Sequence, residues 1–192
     1  MKVRAEVYEK YRRIPLASSP LYLRLEPADR GWIDMYFTLS GKDYMITLSC
    51  YPEPFLHIRK WLEDMIMRTD VLDNTLFLDC DYCYENIFHY EHLTAFHRDA
   101  GLLYLYDDLE EDYLAGYVDL HNMIKVIYTG IMTYAFESER TDQFRENWLD
   151  FIQSSDYPDE LLSSAFCSQI VEYFIGNANR YDTRNHFTSI DI

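Results

Sequence analysis

TLFLDCDYCYE, residues 75–85, alternates side chains with the two-residue period of a β-strand. Leu76, Leu78, Cys80, Tyr82 and Tyr84 fall on one face; Asp79, Asp81, Cys83 and Glu85 fall on the other, with Phe77 as the exception. One apolar and one acidic face describe a strand that covers a core and meets solvent, as in an antiparallel sheet. The same character persists on both sides. Between Asp70 and Asp119 there are thirteen acidic residues and one basic residue, Arg98.

Downstream, residues 87–96 read as another strand, Arg98-Asp99-Ala100-Gly101 as a turn, and Leu102–Tyr106 as a short, almost wholly apolar strand. Asp107-Asp108-Leu109-Glu110-Glu111-Asp112 is a charge block. Tyr113–Val118 fits a strand or the lead-in to a helix, although Gly116 weakens the helical reading. From Asp119, a plausible N-cap, the period becomes helical through Leu120, Ile124, Ile127, Ile131 and Tyr134. Thr141 caps a second helix over Phe144–Ile152. A third opens near Pro158-Asp159-Glu160 and runs to about Phe174, ended by Gly176-Asn177.

Upstream, Val3, Ala5 and Val7 alternate with charged residues, as do Leu21, Leu23 and Leu25 with polar ones. Trp32–Leu39 and Tyr44–Cys50 flank Ser40-Gly41-Lys42-Asp43 and predict a hairpin. Pro52 and Pro54 end the strands, and Phe55, Ile58, Leu62, Met65 and Ile66 predict a helix over about Pro54–Arg68. The expected fold is α+β. It has an antiparallel sheet of about five or six strands, helices packed mainly on one face, and a helical C-terminal part. Residues 1–177 read as a single globular domain and the polar residues 178–192 as a loose tail.

A net charge of −16, with Lys and Arg sparse in the central stretch, argues against phosphate-rich ligands and anionic membranes. The expectation is no nucleic acid and no membrane. Cys50, Cys80, Cys83 and Cys167 are too few for a disulfide scaffold in a chain of this length. MKVRAEVYEKYRRIP lacks the apolar core of a signal peptide, so a reduced, cytoplasmic setting is expected.

No nucleophile elbow, zinc-protease helix motif or glycine-rich phosphate loop occurs. Cys80-x2-Cys83 with His89, His92 and His97 contains zinc-ligand residue types. Residues three apart on a strand face opposite ways, however, and no glycine lets the chain fold back between the cysteines. The block at 107–112 lacks the alternating spacing of a calcium loop. No metal or cofactor is therefore expected. Asp79 and Asp81 with Cys83 and the histidines leave a small hydrolase or metal-assisted enzyme as an alternative. A homo-oligomer that buries an aromatic sheet face is another.

The leading expectation is a binding module rather than an enzyme. An acidic, tyrosine-bearing surface would engage a basic protein partner, in the manner of inhibitors or immunity proteins. The candidate contact residues are Asp79, Asp81, Glu85, Glu91, Tyr104, Tyr106, Asp107, Asp108, Glu110, Glu111 and Asp112.

Overall fold

The computed structural model describes residues 20–50, 54–67, 73–80, 84–94, 97–107, 112–149 and 162–177. The proposed strand at residues 3–7, the acids Asp81, Asp108, Glu110 and Glu111, and the tail 178–192 lie outside these residues.

The fold is α+β. Its strands, however, form two antiparallel sheets instead of one. The first is the meander β1 (Leu21–Leu25), β2 (Trp32–Leu39) and β3 (Lys42–Ser49). Ile33, Met35, Phe37 and Leu39 are buried, as their alternation predicts. The β2–β3 loop is tighter than the sequence suggests. Leu39 pairs with Lys42, leaving Ser40 and Gly41 as a two-residue turn with φ of 56° and 76°. Positive φ at both positions matches the twist of the flanking strands.

The helix α1 (Pro54–Met67) carries the chain to the second meander: β4 (Asp73–Cys80), β5 (Tyr84–Thr94), β6 (His97–Asp107) and β7 (Asp112–Asp119). Tyr113–Val118 is thus strand. Leu76, Phe88, Leu105 and Leu114 pair across all four strands and are buried. The expected turn at Arg98–Gly101 is absent, because β6 already runs from His97. Gly101 instead sits within the strand opposite His92, where the register shifts between His92 and Thr94.

The sheets meet through their apolar faces. Phe88 stands edge-on to Phe37 of β2 at 5.7 Å and to Trp61 of α1 at 5.9 Å. Two sheets form because each meander has an apolar inner face, and these faces bury each other together with the helices.

The long helix α2 (Leu120–Ser138) begins where Asp119 Oδ1 accepts the Asn122 N–H at 2.7 Å. The second predicted helix is a single turn, α3 (Asp142–Phe144), capped by Thr141 and continued as a π-helical turn over Arg145–Leu149. That turn is used. The Asn147 carbonyl and its Oδ1 accept the Gly31 and Arg30 N–H groups at 2.5 and 3.2 Å, holding the β1–β2 turn. The last predicted helix is broken into α4 (Leu162–Phe166) and α5 (Gln169–Gly176). Ser168 accepts the Val171 N–H and restarts the helix. One cluster of buried residues runs from Leu21 to Phe174.

Candidate functional site

Adjacent strands of a meander begin and end together, so the β4–β5 and β6–β7 connections lie at the same end of the second sheet. The register there is specific. Asp79 pairs with Glu85, Asn86 with Asp107, and Asp107 with Asp112. Each of the four strands therefore brings one acidic residue to two adjacent rows near that end, just inside the Cys80–Tyr84 pair; by register the Asp79–Glu85 row belongs to the outer face and the Asp107–Asp112 row to the inner one. At one strand spacing per step they span about 14 Å.

Two of these cross-strand pairs, Asp79–Glu85 and Asp107–Asp112, set acid opposite acid. Directly opposed like charges destabilise a sheet by roughly 0.2–1 kcal/mol per pair relative to neutral partners. The arrangement works against folding, which is the usual mark of a feature kept for another purpose.

Of these four acids, Asp112 has a described side chain. Lys42 of β3 approaches Asp112 Oδ1 at 3.5 Å, and both side chains are more than half exposed. Its Nζ also donates to the Tyr113 carbonyl at 2.7 Å, and Tyr44 Oη donates to the Asp112 carbonyl at 2.9 Å. These contacts fix the acidic end of β7 against the first sheet. An exposed pair of this kind contributes about 0–1 kcal/mol and leaves the charge accessible.

The tyrosines are placed differently from the sequence expectation. Tyr104 and Tyr106 are buried, not displayed, so they do not offer contact area to a partner. Tyr104 stacks on Tyr106 with centroids 6.2 Å apart and on Tyr113 at 5.7 Å. With Ile87 and Ala115 they form a second apolar cluster on the outer face of the sheet. Their part is to stiffen the two central hairpin arms. Glu91 is half-buried and lies near the opposite end, paired with Asp73, so it does not join the acidic group.

Of the residues in the metal and hydrolase readings, His89 and His92 have described side chains. His89 is buried on the outer face, its Nδ1 2.8 Å from Thr75 Oγ1, whereas buried His92 stands edge-on to Tyr90 of the core at 5.0 Å. Among the described residues no three His, Cys, Asp or Glu side chains converge on one point.

A second polar group lies elsewhere, at the α4–α5 break. Tyr128 Oη donates to Glu172 Oε1 at 3.1 Å and accepts the Ser168 N–H at 2.9 Å. Burial pushes the Tyr128 phenol well above its ordinary range. Cys167 is exposed at the break and donates to Glu172 Oε1 at 3.5 Å. Partial desolvation, then the Glu172 carboxylate, raises its thiol, which disfavours the nucleophilic thiolate. Tyr134, also buried, is pushed up to about 12 by desolvation. This group knits helices together and holds no activated nucleophile.

The opposed acids were within reach of the sequence. Asp79 and Glu85 flank one tight connection and Asp107 and Asp112 flank another; pairing them needs only the assumption of two short hairpins. No described helix is long and apolar enough to cross a membrane. Compared with known protein families, curated proteins and solved structures, the chain matches none.

Proposed function

We propose that this chain is an acidic protein-binding module that engages a basic protein through the hairpin end of its four-stranded sheet. The observation that carries the reading is that Asp79, Glu85, Asp107 and Asp112, one from each strand, stand at one end of the sheet in two like-charged cross-strand pairs, one in a row of each face. Asp81, Asp108, Glu110 and Glu111 belong to the connections between those strands and add to the same charge. A concentrated field of one sign speeds encounter with an oppositely charged partner and rejects others. The rigid sheet beneath it limits the ordering entropy lost on binding.

The test exploits the conflict between folding and recognition. Asp79→Lys combined with Asp107→Lys turns both like-charged pairs into opposite-charged ones. The double variant is expected to unfold at a slightly higher urea concentration, gaining up to about 1 kcal/mol per pair. It is also expected to lose, at least tenfold, its low-salt capture of basic proteins from lysate. Capture of the same proteins at the same yield by variant and parent overturns the proposal.

A further inference from the structure

Among the described residues, β1 pairs with β2 alone, so the first sheet ends on a strand with one free edge. The Glu26 N–H donates to the Asp34 carbonyl at 2.9 Å, one step beyond the Leu25–Met35 pair in the same register. Residues bonded to the partner strand alternate with residues whose backbone groups point away from it. Tyr22 and Arg24 therefore bond to β2, and the N–H and C=O groups of Leu23 and Leu25 point to the free edge. Among the described residues these groups have no partner.

A groove of about 390 Å³ runs beside that edge. One wall is the whole of β1, Leu21 to Leu25 without interruption. Successive strand side chains point to opposite faces, so a groove that meets every one of them meets the backbone edge. The other wall is α2. Val126, Thr129, Gly130, Thr133 and Glu137 recur three or four residues apart and so share one helix face. Gly130 sets the helix close over the strand, since a Cβ there would come within 2.8 Å of Leu23 Cδ2.

We infer that this groove receives an extended peptide segment of a partner protein, which adds to β1 as a further strand of the first sheet. Main-chain hydrogen bonds to Leu23 and Leu25 would hold the segment, and α2 would read alternate side chains. Segment residues opposite Leu23 and Leu25 lie on the sheet face that α2 covers. Val126 offers them apolar contact, and Thr129 and Thr133 leave room because they are short. Glu137 is exposed and has no cation beside it among the described residues, so it selects a Lys or Arg in the segment. A second copy of the chain fits badly. Two β1 edges paired about a twofold axis would stand about 4.8 Å apart, each with its own α2 close above, whereas packed helices need about 8–10 Å between axes. The groove belongs to a different sheet from the acidic hairpin end and does not rest on the function proposed for that end.

A phage-displayed library of random peptides about nine residues long, selected on the full-length chain, tests the inference, with amide hydrogen exchange by NMR as the readout. In the unliganded chain the Leu23 and Leu25 amides are expected to exchange freely, while those of Tyr22 and Arg24 are protected by β2. Selected peptides are expected to slow the Leu23 and Leu25 amides about tenfold or more and to carry Lys or Arg at one alternate position. Thr133→Arg, an exposed position where a longer side chain fills the groove, is expected to weaken those peptides about tenfold. Failure of every selected peptide to protect Leu23 and Leu25, or an affinity unmoved by Thr133→Arg, overturns the inference. Protection already present in the dilute unliganded chain, or growing with its concentration, assigns the edge to the chain itself or to a second copy and overturns it equally. A basic preference that survives Glu137→Lys contradicts the chemistry assigned to the segment.

Discussion

Phe88→Ala is expected to destabilise the fold by about 4 kcal/mol, the range for truncating a buried aromatic. Phe88 is fully buried and occupies the point where three elements meet. Its ring presents edges or faces to Phe37 of the first sheet and Trp61 of α1 in near-perpendicular contacts, 89° and 74° between planes. Removing it opens a void that neither paired sheet can collapse to fill, since backbone hydrogen bonds fix both. A loss of that size is a large share of a domain's total stability, about 5–15 kcal/mol. Urea unfolding reads it as a midpoint shift of about 2 M at a slope near 2 kcal/mol/M. Phe136→Ala, on the exposed side of α2, is expected to stay within about 0.5 kcal/mol. Equal effects from the two substitutions would contradict the packing of the sheets against each other.

Gly101→Ala is expected to cost about 3 kcal/mol by crowding. The added methyl would lie 2.4 Å from the Glu91 carbonyl oxygen and 2.5 Å from Tyr90 Cζ. The carbonyl belongs to β5, paired on both sides, and the Tyr90 ring is fully buried, so neither can step aside cheaply. Gly41→Ala provides the contrast. It meets nothing within 4 Å, but its φ of +76° is uncomfortable for an L side chain, at about 1 kcal/mol. Thermal or urea midpoints that rank the two the other way would show that the register shift in β5 relaxes to admit a side chain.

Local patterns carried most of the element assignments. Alternation in Ile33–Leu39 and Leu76–Leu78, and the helical stripe from Leu120 to Tyr134, depend only on neighbours in sequence, and the structure keeps them. The division into two sheets was hidden because no local signal says whether β3 pairs with β4. Their separation follows from how two apolar faces find each other after α1. Gly101 was misread as a turn because glycine serves tight turns and close backbone approach alike, and only the partner strand distinguishes them. The burial of Tyr104 and Tyr106 had a visible sign. The run Leu102-Leu103-Tyr104-Leu105-Tyr106 lacks the alternation of a strand with one wet face, the pattern of a strand covered on both sides. The acidic stretch was plain as composition, but its focus was not. Spread over fifty positions it reads as general surface charge, and the register alone collects four of its members at one sheet end.

That focus is tested most directly by backbone amide NMR during titration with a short lysine- and arginine-rich peptide at low salt. The account predicts that shifts concentrate on the ends of β4 and β5 around Asp79 and Glu85 and on the β6–β7 hairpin around Asp107 and Asp112, and fade as salt is raised. Shifts centred on other acidic stretches, such as residues 137–146, or spread evenly over the surface, would contradict it.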